Sequence, residues 1–330
     1  MAVVALKPNQ NQIVVTGVGG FVGRTLFAEL ELRNCEVSHI VRGLLPIDSA
    51  APGRGQVGRI GATTNWLSAL QGVTTIVHLA ARVHVMQDTT IDPIAAFREV
   101  NVGGTLNLAR QAAAAGVKRF VFVSTAKVNG ESTQPDRPFT EADIPNPQDA
   151  YSLSKYEAEQ GLRQISADTG MEVVIIRPPL VYGPGVKANF ATLMQAVQQG
   201  RPLALGSVNN RRSLVALDNL VDFIILCMTH KEAANQTLLV SDGNDLSTTE
   251  LVRGLARAAG VSARLLPVPV WALQAGAMLL GKEDEVQRLC GSLQVDISKA
   301  RNLLGWRPPV VVEEGLRRAV AGMSSFVKLA

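Results

Sequence analysis

The stretch Ile13-Val14-Val15-Thr16-Gly17-Val18-Gly19-Gly20-Phe21-Val22-Gly23-Arg24-Thr25-Leu26 constrains the fold more than any other part of the chain. An apolar run leads into a turn with glycines at 17, 20 and 23, and a helical pattern follows from Thr25 to Arg33. Glycine permits the tight turn and lets a bound pyrophosphate approach the backbone. The helix N-terminus, with its unpaired N–H groups, suits that anion. A strand, such a turn and a helix in this order are the opening unit of a dinucleotide-binding sheet.

The first half continues that unit as alternating strand-like and helix-like segments, which calls for a parallel sheet with helices on both faces. The pattern predicts strands at 12–16, 36–41, 74–79, 119–124 and 172–177, and helices at 21–33, 64–71, 93–116 and 150–169. Pro- and Gly-containing residues 43–61 read as a loop with a short strand, and 131–149 as a loop bordering the pocket. The expected fold is α/β: a doubly wound parallel Rossmann sheet over residues 1–178, with one strand returning near 236–242. A smaller C-terminal α/β lobe, 179–330, is expected to bind substrate.

A second constellation carries chemistry. The run Phe120-Val121-Phe122-Val123 delivers Ser124 and Thr125 at the end of a strand, where ligands bind in open α/β sheets. The segment Tyr151 to Glu159 reads as a helix, so Tyr151 and Lys155 share one face at i and i+4. A hydroxyl, a phenol and an ammonium around one carbonyl form a proton-relay site. The cation is expected to favour the phenolate and draw the Tyr151 pKa below its usual value of about 10.

These stretches resemble the extended short-chain dehydrogenase/reductase family, on its branch of nucleotide-sugar epimerases and reductases. The likeness continues in Val77-His78-Leu79-Ala80-Ala81, Asn101-Val102-Gly103-Gly104-Thr105 and Arg177-Pro178-Pro179-Leu180-Val181-Tyr182-Gly183-Pro184-Gly185. It extends to Arg212-Ser213-Leu214-Val215, Asp218-Asn219-Leu220 and Leu304-Gly305-Trp306. Residues 124–159 look most like UDP-hexose 4-epimerases and reductases of 4-keto-6-deoxy UDP-N-acetylhexosamines.

The resemblance implies roles. Tyr151 is the general acid/base, Lys155 binds the nicotinamide ribose, and Thr125 takes the place of the catalytic Ser/Thr, with Ser124 assisting. Gly17, Gly20, Phe21, Val22, Gly23, Leu79, Ala80, Ala81 and Pro178 would line the cofactor. Asn189 and Arg212 would hold the nucleotide diphosphate, and Val85 and Met86 would border the sugar, although these two also read as plain core packing. Asn101 would brace the active-site strand. His78 reads as a core residue at a strand end.

Two departures narrow the expectation. Where related dehydratases carry Thr-Asp-Glu, this chain has Thr125-Ala126-Lys127. Without those carboxylates, elimination of water is not expected, which leaves epimerisation or ketone reduction at the sugar C4. Where NAD-preferring members carry an acid after the second strand, this chain has Val41-Arg42. Arginine suits a 2′-phosphate, so NADP is favoured over NAD; stacking of Arg42 on adenine with NAD bound is the alternative. Arg59 likewise replaces an Asp common near the adenine.

Composition sets outer bounds. The chain has 330 residues, 47% of them hydrophobic and 18% charged, as in compact α/β enzymes. A net charge of only +4, with dispersed basic residues, argues against nucleic acid as a partner. Three cysteines without close spacing suggest neither a disulfide framework nor a metal site. Met1 to Gln12 lacks the apolar core of a secretory signal, and Val268 to Gly281 is too short to span a bilayer, reading instead as a buried or interface helix. The expectation is a cytoplasmic homodimer acting on a UDP-sugar at C4 for polysaccharide precursor synthesis. A reductase of a non-nucleotide carbonyl compound and a non-catalytic NAD(P)-sensing protein are the rival readings.

Overall fold

The computed structural model describes residues 12–42, 54–57, 60–83, 92–134, 136–281 and 283–327. Seven parallel strands form one sheet: β1 (Gln12–Thr16), β2 (Val37–Arg42), β3 (Arg54–Val57), β4 (Val73–His78), β5 (Arg119–Val123), β6 (Glu172–Arg177) and, after two strands of the second lobe, β9 (Thr237–Leu239). Their spatial order is β3-β2-β1-β4-β5-β6-β9. The order reverses between β1 and β4, which places a crevice above the carboxyl ends of those strands. The returning strand expected near 236–242 is β9, and it pairs in parallel with β6.

Strand alternation divides the apolar residues between two cores. Ile13, Val15 and Val121 face one side, where they pack with Leu26 of α1 (Phe21–Leu32) and Ile224 of α6 (Leu217–Thr229). Val14, Ile76, Phe120 and Phe122 face the other, against Leu108 of α3 (Thr105–Ala114) and Leu162 of α4 (Ala150–Thr169). Each fully buried side chain of this size contributes about 1.5–3 kcal/mol. Two such layers hold the strand ends, and the groups on them, in fixed relation.

The helix expected over 93–116 is not uniform. α2 (Pro93–Phe97) passes through a π-helical segment, Arg98–Gly104, before continuing as α3. The helix expected over 64–71 is only a 3-10 turn, Leu67–Leu70.

The second lobe has its own core, in which Tyr182, Met194, Leu214, Leu255 and Leu316 meet. It contains a two-stranded parallel sheet, β7 (Leu180–Tyr182) and β8 (Leu214–Ala216), and the helices α5 (Ala188–Gln198) and α7 (Thr248–Ala259). Further helices are α8 (Val270–Leu280), α9 (Glu283–Cys290), α10 (Ser298–Leu304) and α11 (Val312–Val327). Of the two expectations for α8, the buried one is not met: among its described residues only Ala277 is buried, whereas Trp271 is 72% and Leu279 88% exposed. Among the described residues, no helix is long and apolar enough to cross a membrane.

Candidate active site

The crevice is built from strand ends and two helix starts. α1 begins at Gly20, which carries no side-chain cap, and the first turn contains no acidic residue. The N–H groups of Phe21, Val22 and Gly23 therefore have no intrahelical acceptor, and the macrodipole favours an anion there. Gly17 has φ +80°, and a Cβ at this position would sit 2.7 Å from the Ala80 nitrogen. Only glycine allows the first loop to lie that close to the Leu79-Ala80-Ala81 segment leaving β4. A Cβ on Gly19 would meet nothing, so that side of the turn is open to a ligand.

β5 ends in Ser124 and Thr125. The Ser124 and Ala126 nitrogens donate to the carbonyls of Ile176 and Pro178, at 2.7 and 2.8 Å, which fixes this corner against the end of β6. Thr125 Oγ1 accepts from the Lys127 nitrogen and caps a short 3-10 turn, Ala126–Val128. Ser124 Oγ is buried with no hydrogen-bond partner. An orphan hydroxyl at a strand's carboxyl end fits a polar ligand group, because burial without a partner costs about 1–3 kcal/mol. This hydroxyl, the open glycine turn and the uncapped α1 together fit a bound dinucleotide.

α4 carries Tyr151 and Lys155 toward the same region. Asp149 and Ser152 form a reciprocal capping box at its start, and Gly170, with φ +75°, ends it in the left-handed conformation. Tyr151 lies in the first turn, half-buried, with the Phe97 ring edge-on at 6.2 Å. Lys155 is buried, its Nζ 3.9 Å from the centroid of Phe122.

The electrostatics differ from expectation. Burial lowers Lys155 to about 7, and burial, with the charge of Asp149 adding, raises the Tyr151 phenol to about 12. Two desolvated groups each resist ionising, so the protein alone does not stabilise a phenolate; an added cationic charge in the crevice would be needed. Burial and the nearby Lys155 charge also hold His78 down, to about 3. Its ring nitrogens lie 2.7 Å from Thr16 Oγ1 and 3.0 Å from Thr105 Oγ1. His78 is thus a neutral strut between β1, β4 and α3, as expected of a core residue.

Asn101, in the π-helical segment, donates to Ser154 Oγ of α4 at 3.0 Å and exchanges bonds with the Arg82 backbone. It ties the loop after β4 to the helix bearing Tyr151 and Lys155. Sequence reasoning missed two further ties. Arg177 and Glu159 form a buried ion pair that Asn129 completes at 2.9 Å. Lys127 Nζ bridges Glu131 and Asp149, at 2.9 and 2.8 Å. The i, i+4 spacing of Lys127 and Glu131 was visible in the sequence, but the approach of Asp149 was not.

The remaining expected residues are more scattered. Gly130, Glu131, Phe139 and Asn146 line a cleft of about 420 Å³ beside the Thr125 turn, so the loop 131–149 does border an opening. Asn189 sits exposed in the first turn of α5. Arg212 lies in the second lobe, where its Nη1 donates to the carbonyls of Arg288 and Gly291, both at 2.9 Å. Burial lowers its pKa, and among the described residues no carboxylate pairs with it. Arg42 ends β2, in register with Val57, but its side chain lies outside the described residues, as do Arg59, Val85 and Met86.

Comparison with known proteins agrees with this arrangement. The chain is 49% identical over 308 residues, 93% of each protein, to a UDP-glucose 4-epimerase of Vibrio cholerae. Among solved structures it resembles UDP-glucuronic acid 4-epimerase from Bacillus cereus in complex with NAD. That match has a TM-score of 0.76 at 22% identity and covers 96% of this chain and 98% of the other. It likewise resembles UDP-glucose 4-epimerase of Thermotoga maritima with UDP-glucose, with a TM-score of 0.73 at 22% identity over 96% and 99% of the two chains. The family model for the NAD dependent epimerase/dehydratase family matches residues 13–240, so the chain belongs to that family and is an enzyme of the extended short-chain dehydrogenase/reductase type.

Proposed function

We propose that the protein is a UDP-sugar 4-epimerase acting on a UDP-linked hexose or N-acetylhexosamine, in the service of polysaccharide precursor synthesis. The observation that supports this reading is that Thr125 caps the turn after β5 while α4, which bears Tyr151 and Lys155, is joined to that turn through Asp149 and Lys127 and sets Lys155 on Phe122 of β5, with no carboxylate at Ala126 or Lys127. Proton transfer at one carbon needs the first set; dehydration would need the missing acids. Arg212, half-buried and, among the described residues, without a carboxylate partner, supports a diphosphate-bearing substrate.

The dinucleotide, held by the Gly17–Gly23 turn, the Leu79–Ala81 segment and Lys155, supplies reversible hydride transfer when bound. Tyr151, as the phenolate, would take the proton from the sugar C4 hydroxyl as the ketone forms, and would return it to the same oxygen once the sugar has presented its other face for reduction. Thr125 holds the C4 oxygen by a hydrogen bond, since its own oxygen is already occupied by the Lys127 N–H and its proton is free to donate. Lys155, held at about 7 by burial, would carry its positive charge when a phenolate at Tyr151 and the ribose of the dinucleotide face it. Ser124 offers its orphan hydroxyl to the cofactor or the sugar.

Incubating the purified enzyme with UDP-glucose or UDP-N-acetylglucosamine, without added cofactor, should yield the C4 epimer by proton NMR. No epimer from any UDP-hexose, and no binding of UDP, would move the reading to a carbonyl reductase of non-nucleotide substrates. One observation favours a one-way 4-ketosugar reductase using NADPH instead. Val41 and Arg42 end β2, where an acid would serve the adenosine ribose of NAD. Arg42→Ala separates the two: if Arg42 reads a 2′-phosphate, NADPH binding weakens by about 1.5–3 kcal/mol while NADH binding is little changed. Equal weakening of both cofactors would point to adenine stacking and leave the epimerase with NAD.

A further inference from the structure

Lys127 occupies the position where dehydratase relatives would carry an acid, and it points away from an eliminating role. Its Nζ is 2.8 Å from Asp149 Oδ2 and 2.9 Å from Glu131 Oε1. The other Asp149 oxygen, Oδ1, accepts the Ser152 N–H at 2.6 Å and caps α4. One carboxylate thus spans two tasks: it starts the helix that bears Tyr151, and it joins that helix start to the turn that begins at Thr125. We propose that Lys127 is a positioning residue for the C4 proton transfer. It ties the Tyr151 turn to the Thr125 turn and offsets part of the negative charge that Asp149 projects onto the phenol two residues away.

The geometry requires some such cancellation. Asp149 must be ionised to receive the Lys127 and Ser152 donors, and both draw its carboxyl below the usual range against the pull of burial. An uncompensated carboxylate at this distance opposes phenolate formation, and the Asp149 charge acts on Tyr151 in that direction. The other charged groups around the α4 start are arranged differently. Lys155 lies one turn on, Arg98 and Glu157 pair with each other at 2.9 Å, and His78 is neutral at the base of the site. Glu131 shares Lys127 but belongs to the loop beyond the 3-10 turn. Arg82 lies over the Phe97 ring that packs on Tyr151, and Lys127 is the cation that bonds Asp149 directly. Both partners are about one-third exposed, so salt should weaken the effect.

The role rests on Tyr151 being the proton-transfer group, and the test separates the two claims. In the dinucleotide-loaded enzyme, the phenolate of Tyr151 is titrated by ultraviolet difference against Tyr151→Phe, with no substrate needed. The acid limb of kcat/KM is followed in parallel with the UDP-sugar. Lys127→Met should raise both midpoints by at least about 0.5 pH unit, and Lys127→Arg should restore them. Asp149→Asn keeps a good N-cap but removes the charge. In that background, adding Lys127→Met should move neither midpoint. If Lys127→Met lowers kcat with unmoved midpoints, or if its shift persists in the Asp149→Asn background, the positioning role is overturned. If the phenolate midpoints shift as stated while no sugar turns over, the role of Lys127 stands and the epimerase reading falls.

Discussion

At the scale of single residues, the site is a set of buried groups that resist ionisation until a ligand arrives. Tyr151 carries the heaviest burden. Tyr151→Phe removes one oxygen and keeps the ring against Phe97, so cofactor affinity should hold while kcat falls about 10²–10⁴-fold. Steady-state assays with parallel cofactor titrations check this, and a rate near that of the unaltered enzyme would refute the assignment. His78 makes a prediction of different sign and range. Its folded pKa, about 3, lies below the unfolded value of 6.5, so between these limits the unfolded chain binds the extra proton. Stability from this residue is complete above about pH 6.5 and is lost as pH falls towards 3, by on the order of a few kcal/mol. Urea midpoints at several pH values should fall less steeply for His78→Gln, which cannot gain that proton; parallel slopes would remove His78 from the acid response. The sequence made these residues legible as types in an order. It did not reveal their surroundings. The Tyr151-Lys155 spacing placed both on one face, but the lowering of the phenol expected from that spacing ignored the burial of each.

At the scale of elements, legibility followed local chemistry. α4 runs from Ala150 to Thr169 as expected, because Asp149 and Ser152 cap it at one end and Gly170 at the other, all within the local sequence. The strands of the main sheet were readable because residues such as Ile13, Val14 and Val15 form unbroken apolar runs, the mark of strands buried on both faces. The π-helical segment Arg98–Gly104 was not readable. It is set by contacts from elsewhere, including the bonds of Asn101 to Arg82 and Ser154, and those partners are far off in sequence. The Arg177–Glu159 pair is of the same kind: it welds β6 to α4 and, through Asn129, to the turn after Thr125. Removing one member of a buried pair leaves the other charge uncompensated. Glu159→Gln should cost about 3–5 kcal/mol in denaturant unfolding, even though the side-chain volume is kept. A loss below about 1 kcal/mol would mean that Asn129, already an acceptor for Arg177, and water satisfy the guanidinium in the variant.

At the scale of the whole molecule, the proposed function divides the work between the two lobes by chemistry. The sheet presents a glycine turn, uncapped N–H groups and the orphan hydroxyl of Ser124, which fit a dinucleotide; the second lobe presents a cation. That lobe was the less legible half. Its strands have three residues each, too short to show a period, and the capping box of α7, Ser247 with Glu250, is visible only once a helix is suspected. Arg212 nevertheless stood out by its place before Ser213-Leu214-Val215, and the structure adds the physical reason to care about it. A half-buried guanidinium held by the carbonyls of Arg288 and Gly291 retains unused donors and a full charge. Carbonyls orient that charge without neutralising it, and among the described residues no carboxylate pairs with it, so an anionic ligand gains more here than at a fully exposed arginine. A diphosphate needs such a group if, as proposed, the α1 N-terminus takes the pyrophosphate of the cofactor. Arg212→Ala should therefore weaken UDP binding by about 1.5–3 kcal/mol, weaken UMP binding less, and leave NAD(P)H affinity unchanged in calorimetric titrations. Cofactor binding serves as the control for folding, since it draws on the other lobe. If the unaltered protein does not distinguish UDP from UMP, and Arg212→Ala matches it, then Arg212 only braces α9 against β8 and the substrate carries no diphosphate.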